Sequence, residues 1–565
     1  MSQLNDQKIK EILLSETYIS EQDLKDAEEY FVKHGQEPLI DYLLAEGIIS
    51  KDLLGQAIAE YYQVRYLDLS REKIDEEIVK LIPESVARSQ GVVAFSRTEK
   101  GVKVAMTDPG EIEIKDFVAK KLGENVIIYY TTEHDMQDLL AVYRESLQNN
   151  FGGILKQLEN QELSREKRDQ SIVEIVDMLL QYGYQSKASD IHIEPYENEV
   201  LVRFRVDGMM HDALKVPKDL SELILTRVKI LSRMRTDEHR SAQDGKIRFK
   251  VGSENMDVRV SVVPVTQGEN VVMRLLSARN RRFSLSDLGM SASDLKKVKD
   301  SIKHPHGMIL VTGPTGSGKT TSLYAMLKVL NKRNVNIATI EDPVEYDIES
   351  ISQIQVNTKT NLTFAKGLRA IVRQDPDIIM VGEIRDEETA GIAVNSALTG
   401  HLVLSTLHTN DAATTLPRLL DMDVEPFLVA STINVVIAQR LVRKICPKCR
   451  SSHELSSDEL KVIEESVNIK QVFKNKGYKS LKGLRLYRGE GCRLCAQTGY
   501  SGRIGIFEVL EMSEPIKSLI LNHASSDQIQ VEARKQGMST MFEDGVDKAL
   551  SGVTSFAEVL RVSRE

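Results

Sequence analysis

The run Ile309-Leu310-Val311-Thr312 passes directly into Gly313-Pro314-Thr315-Gly316-Ser317-Gly318-Lys319-Thr320 and then into a helical stretch, Thr321 to Leu330. No other feature of the chain restricts its fold as strongly. An apolar strand, a glycine-rich loop and a helix in that order form a phosphate-binding P-loop, in which glycines let the backbone N–H groups turn inward and the helix N-terminus adds partial positive charge. Gly313 to Thr321 are therefore the expected nucleotide-binding residues, with Lys319 reaching the β- and γ-phosphates of ATP and Thr320 holding Mg2+. A P-loop requires an α/β domain, and the chain from Phe283 to Glu565 alternates strand and helix patterns accordingly.

Two acidic strand ends lie downstream. Asp377 to Val381 is an apolar strand that ends in Gly382-Glu383, as a Walker B strand does, although a glycine stands where an aspartate is usual. Glu383 is the carboxylate expected near Mg2+, through water. Thr339-Ile340-Glu341-Asp342-Pro343-Val344-Glu345 places three carboxylates at the end of another short strand, and hydrolysis needs a carboxylate that orients and deprotonates water. Taken alone, such an acidic turn is more readily a solvated loop.

At 565 residues the chain exceeds the ~250–300 at which single cores stop growing, so several domains are expected. With 41% hydrophobic and 28% charged residues it reads as an ordinary globular protein. A net charge of -9 argues against general nucleic-acid binding, which relies on clustered Lys and Arg. No signal peptide or membrane-spanning run is visible, and a cytoplasmic location is expected. The expected domains are a docking or regulatory module over residues 1–145, a polar linker over 146–168, a sheet-rich domain over 169–285 and the P-loop domain over 286–565. Within the first, Glu11 to Ser20 is echoed by Asp41 to Ser50, each leading into an acidic helical start with Ser20 or Ser50 as N-cap. Two helical hairpins are expected, serving either as a docking or ligand-sensing domain or as a plain packing unit. From Tyr66 to Tyr143 a compact α/β module is expected, and Ile191 to Glu194, Val200 to Val206, Lys246 to Val251 and Met256 to Val263 read as strands of the sheet-rich domain.

All four cysteines fall into two Cys-x-x-Cys pairs, Cys446 with Cys449 and Cys492 with Cys495. Two such knuckles surround a tetrahedral Zn2+ with thiolates and leave no open position, so the metal is expected to be structural. The long interval between them must form an insertion.

In combination, the P-loop, the Thr339 to Glu345 box, Gly382-Glu383-Ile384-Arg385-Asp386, and Thr399-Gly400-His401-Leu402-Val403-Leu404-Ser405-Thr406-Leu407-His408-Thr409 resemble the ATPase superfamily that drives type II secretion and type IV pili. The segments Ser189 to Pro195 and Val202 to Gly208 are similar to that family's domain preceding the ATPase core. The resemblance implies a RecA-like P-loop domain preceded by a sheet-rich, PAS-like α/β domain and a helical plus α/β N-terminal module. It also implies a homohexamer, with ATP held between the last two domains. By matching residue type, Glu345 corresponds to the catalytic base, Glu383 to the Mg2+-linked acid, and His401 and His408 to sensors of the γ-phosphate. Arg259 and Arg274 stand where the family keeps arginines for the transferred phosphoryl group, and Arg203 and Arg205 are weaker candidates. The four-cysteine element resembles that of the pilus extension and type II secretion branches.

Within the family, the Gly499 to Leu510 block and the N-terminal repeats favour pilus assembly through an inner-membrane platform protein, with type II secretion as the alternative. Some relatives bind cyclic di-GMP through an Arg-Leu-Gly start to each repeat. Here the starts read Lys8-Ile9-Lys10 and Pro38-Leu39-Ile40, so that ligand is not expected through the motif and a cytoplasmic docking partner for residues 1–145 is. A nucleotide-gated ring with little turnover and a DNA-translocating ATPase are the readings from other classes. Intact Lys319, Glu345 and Glu383 oppose the first, and the acidic net charge opposes the second.

Overall fold

The structure, a computed structural model, describes residues 12–13, 18–19, 49–67, 74–83, 86–87, 90–132, 135–136, 139–140, 165–251, 254–276, 284–478, 480–481, 483–492, 495 and 497–564. The chain forms two compact units, one of residues 1–275 with 445–460 and 481–501, the other of residues 276–444 with 461–480 and 502–565. Most of the repeated N-terminal segment, with Ser20, lies outside the described residues, as does the expected linker up to position 164. Ser50 does cap its helix, Lys51–Tyr61, accepting from the N–H of Leu53.

In the first unit, β1 (Arg65–Tyr66), β2 (Val92–Thr98), β3 (Gly101–Met106) and β4 (Val126–Tyr130) form a sheet in the order β1-β4-β3-β2. The helix Arg165–Gln185 is already running four positions before the expected domain boundary at 169. Arg165, Glu166, Lys167 and Arg168 are good helix formers, so a polar composition there extends the helix instead of breaking it. A six-stranded sheet follows: β5 (Asp190–Pro195), β6 (Glu199–Val206), β7 (Met209–Pro217), β8 (Gln243–Val251), β9 (Glu254–Val265) and β10 (Gly268–Leu276), in the order β7-β6-β5-β10-β9-β8. Alternation decides its faces. Ile191, Ile193, Val200, Val202, Phe204, Val258, Val260, Val271 and Met273 turn inward to a core shared with Ile175, Val176, Ile224 and Val228 of two helices. The residues between them, which include all four candidate arginines, belong to the opposite face.

The second unit is built on a seven-stranded sheet of β11 (Gly307–Thr312), β12 (Ile337–Glu341), β13 (Ser352–Gln355), β14 (Ile378–Val381), β15 (Leu402–Leu407), β16 (Ile433–Ile445) and β19 (Tyr500–Glu511), in the order β13-β12-β14-β15-β11-β16-β19. β17 (Arg450–Glu454) and β18 (Arg485–Gly489), which belong to the first unit, pair separately. The pairs from β13 across to β16 are parallel. β11, β14 and β15 are buried along their whole length, as strands covered by helices on both faces must be. Separate cores form on the two faces, one around Leu310, Ile340, Val381 and Val403, the other around Ile309, Val311, Met380 and Leu404. After β11 the chain crosses two strands before adding β12. This switch opens a crevice at the carboxyl ends of the strands, where α/β sheets bind ligands.

Candidate functional site at the carboxyl ends of the parallel strands

Gly313, Gly316 and Gly318 take φ of 143°, 81° and 90°, a backbone that other residues adopt only under strain. Gly313 also has no room, since a β-carbon there would stand 2.4 Å from the carbonyl of Gln439. The loop delivers the chain into the helix Lys319–Leu330 with Lys319 as its first residue and Thr320, exposed, as its second. Lys319 Nζ donates to the carbonyls of Gly313 at 2.7 Å and Pro314 at 3.1 Å. Burial pushes its ammonium below the usual lysine range, and the charge of Glu383 opposes the shift.

Several buried polar groups that sequence reasoning missed hold the loop. Gln439 of β16 donates from Nε2 to the carbonyl of Ser317 at 2.7 Å and accepts from Ser322 Oγ at 2.7 Å. Thr312 Oγ1 lies 3.0 Å from the carbonyl of Leu407 and 2.5 Å from Thr409 Oγ1, tying the end of β11 to the end of β15. A lone glutamine inside Val435-Val436-Ile437-Ala438-Gln439 was the available signal, because a buried amide must find partners.

Glu383 leaves the end of β14 with both oxygens engaged: Arg385 sits 2.6 Å from Oε1 and His408 Nε2 3.1 Å from Oε2. Its bond to Glu383 raises the pKa of Arg385. A β-carbon at Gly382, which stands at the usual aspartate position, would be tight, at 3.3 Å from both Glu341 Cα and the carbonyl of Ile340. Of the three carboxylates in the acidic box, Glu341 is withdrawn from solvent at 2% exposure, Asp342 is exposed and Glu345 is half-buried.

The two histidines separate. His408 follows β15 and stands beside Glu383, whereas His401 precedes it. Its Nδ1 donates to the carbonyl of Ser396 at 2.8 Å. β15 runs parallel to β11 with Gly307 opposite Leu402 and Thr312 opposite Leu407, so the P-loop follows the same end as His408. Of the two histidines expected to sense the γ-phosphate, His408 is the one at the P-loop end of β15. Six residues of strand, about 20 Å, place His401 at the opposite end of β15.

In the other unit Arg203, Arg205, Arg259 and Arg274 share the face of the six-stranded sheet opposite its core. Arg203 binds Glu194 at 2.6 Å and Arg274 Nε binds Asp190 Oδ1 at 2.9 Å, with Arg205 Nε 3.7 Å from the other oxygen of Asp190. Between them burial pushes His192 down, against the opposing charges of Glu194 and Asp190.

Also in that unit, the Sγ atoms of Cys446, Cys449, Cys492 and Cys495 all lie within 4.8 Å of one another. The separations of Cys446 from Cys492, Cys449 from Cys495 and Cys492 from Cys495 are 3.9, 3.9 and 3.6 Å. Four thiolates at ~2.3 Å from a tetrahedral ion would be about 3.8 Å apart, so the set fits a metal such as Zn2+. The N–H groups of Cys492 and Gly499 point at Cys495 Sγ, each at 3.2 Å. The knuckles are distant in sequence because β17, β18 and the helices Ser457–Glu465 and Val467–Asn475 are inserted between them.

The type II/IV secretion system protein family matches residues 165–561, and the MshEN domain family matches residues 62–149. The chain is 39% identical over 566 residues to the type IV pilus assembly ATPase PilB of Myxococcus xanthus, covering 98% of each. It is 46% identical over 407 residues to the type II secretion system protein E of Pseudomonas aeruginosa, covering 72% of this chain and 78% of that one. The type II secretion system ATPase E of Vibrio cholerae is 44% identical over 418 residues, covering 74% and 80%. Among solved structures the Legionella pneumophila ATPase DotB shares the fold, with a TM-score of 0.50 at 22% identity over 69% of this chain and 95% of that one. The chain belongs to the type II/IV secretion system protein family, and it is a P-loop ATPase related both to pilus assembly and to type II secretion ATPases.

Proposed function

We propose that this chain is a hexameric motor at the cytoplasmic face of the inner membrane, where it hydrolyses ATP to drive the assembly of pilin-like subunits through a membrane platform protein. The observation that carries this reading is the convergence of Lys319, Thr320, Glu383, His408 and the Glu345 loop at one end of one parallel sheet. Backbone N–H groups of Gly313 to Thr321 bind the phosphates, and Lys319 turns from its loop carbonyls to the β- and γ-oxygens. Thr320 and Glu383 would hold Mg2+, which neutralises phosphate charge when bound. With both oxygens engaged by Arg385 and His408, Glu383 acts on the ion through water. Glu345 orients and deprotonates the attacking water. Arg259 and Arg274 stabilise the transferred phosphoryl group, and Arg274 must then exchange Asp190 for phosphate oxygen. The four cysteines hold a structural Zn2+. Among the described residues no helix is long and apolar enough to cross a membrane.

Both outputs occur among the relatives. The higher identities, 46% and 44%, are to type II secretion proteins and favour secretion. The pilus reading rests on the relative matched over 98% of both chains. Deleting the gene and assaying secreted proteins beside surface pili separates them, because loss of only one assigns the motor to that machine.

The biochemical test is steady-state hydrolysis by the purified protein, with its mass in solution measured with and without nucleotide, beside Glu345→Gln. Turnover by a hexamer, lost in the variant while ATP binding persists, supports the motor. Tight binding with negligible turnover in both, even with the platform partner present, favours a nucleotide-gated scaffold. Metal analysis should find one zinc per chain, lost in Cys495→Ser.

A further inference from the structure

Tyr324 lies in the helix that starts with Lys319 and Thr320, and at 1% exposure it is one of the largest fully buried side chains among the described residues. Its hydroxyl donates to Glu341 Oε2 at 2.5 Å. The Tyr324 hydroxyl oxygen in turn accepts from the backbone N–H of Glu345 at 3.4 Å and from Gln353 Nε2 at 3.4 Å. Glu341 is satisfied at its other oxygen by Thr339 Oγ1 at 2.7 Å and Gln353 Nε2 at 3.1 Å. The ring meets Tyr346 edge-on at 4.7 Å. A buried carboxylate saturated in this way is an anchor and not a proton acceptor. Gln353 Nε2 also donates to the carbonyl of Tyr346 at 3.2 Å, so the chain on the far side of Glu345 is fixed by the same group.

We infer that Tyr324 is a positioning residue for hydrolysis: through Glu341, Gln353 and the N–H of Glu345 it fixes the loop bearing the catalytic base to the helix bearing the phosphate-binding lysine. This deepens the motor reading and rests on it. Water activation needs the base held to within a fraction of an ångström of the phosphoryl group, and the phenol is the one group among these contacts that reaches from the P-loop helix to both the buried acid and the Glu345 backbone. Burial and the adjacent Glu341 push the Tyr324 phenol far above its usual range, so it remains a hydrogen-bond donor at all working pH.

The test compares Tyr324→Phe with the parent protein and with Glu345→Gln, full length, in steady-state hydrolysis, in binding of a fluorescent ATP analogue and in thermal denaturation. Phenylalanine keeps the ring packing and removes only the hydroxyl. The expected result is a kcat lowered roughly ten- to hundredfold, the order that a small misplacement of a reacting group produces, with analogue affinity and KM within about twofold. Against Glu345→Gln, the added loss should be far smaller than in the parent, since the hydroxyl acts through that residue. Glu341→Gln retains the shape and weakens the charge-assisted bond. It should lower kcat in the same direction by less, and it carries the test if Tyr324→Phe is not recovered folded. Unchanged kcat in the folded variants, or a loss confined to thermal stability, overturns the inference while leaving the motor reading intact. A parent protein without turnover sinks both.

Discussion

The carboxyl end of the parallel sheet and the face of the six-stranded sheet opposite its core both carry cations that the proposed mechanism directs at phosphate, and they hold them differently. At the P-loop the cation is Lys319, resting on two carbonyls of its own loop, and the burial that lowers its pKa favours a gain of negative charge beside it. On the other sheet the arginines with described partners lie against acids, Arg203 on Glu194 and Arg274 on Asp190. A lysine on dipoles is ready for an anion, whereas an arginine on a carboxylate must leave one anion to meet another. The first arrangement favours constant occupancy by nucleotide. The second favours an interaction made only when charge develops, which is the kind that accelerates chemistry.

Removing the ready cation should have the largest effect. Lys319→Ala is expected to lower ATP turnover about a hundredfold or more and to weaken nucleotide binding as well, measured by steady-state hydrolysis and equilibrium binding. If binding survives, the backbone of the loop alone supplies affinity and the contrast between the two sites narrows.

The next contrast lies within one motif. His408→Ala should cost about tenfold in kcat because it frees one oxygen of Glu383, while His401→Ala should remain within about twofold. Equal losses would show that His401 serves a site outside its own unit.

Asp190→Asn tests whether the paired arginines are held in reserve. Weakening the tether to Arg274 is expected to change kcat several-fold with KM nearly constant, and a lower KM with unchanged kcat would instead mean that the arginines bind the ground state.

The smallest expected effect is on stability. Burial raises Glu508 from 4.5 to about 7, although it accepts from the N–H of Ala412. The folded state therefore keeps a proton that the unfolded state releases, so this group's contribution declines as pH rises from 4.5 to 7 and is flat above, by a few kcal/mol at most. Glu508→Gln should flatten that part of the pH–stability curve in thermal denaturation. Glu558 supplies the opposite sign. Burial pushes it up, but bonds from Arg561 and Arg443 outweigh this and hold it at about 2, so its contribution is complete above 4.5 and lost on acidification.

The P-loop, the strand ending at Glu383 and the cysteine knuckles were legible in the sequence because each is local. Glycine spacing, an apolar run that stops at an acid and Cys-x-x-Cys pairs are set by the backbone of a few neighbouring residues. The strands of the six-stranded sheet were legible for the same reason, through alternation of period two. Motif membership did not report which end of a strand a residue occupies, and so His401 and His408 read alike until the register of β15 against β11 separated them. Likewise the resemblance singled out Glu345 among the three acids of the box, but that Glu341 is buried under Tyr324 and Gln353 came only from packing. What the sequence by itself determined is the set of chemical groups and their local conformations. Only the tertiary structure decided which of them meet, because contacts such as Gln439 with Ser317 and Arg274 with Asp190 join segments far apart in the chain, and no local rule fixes their partners.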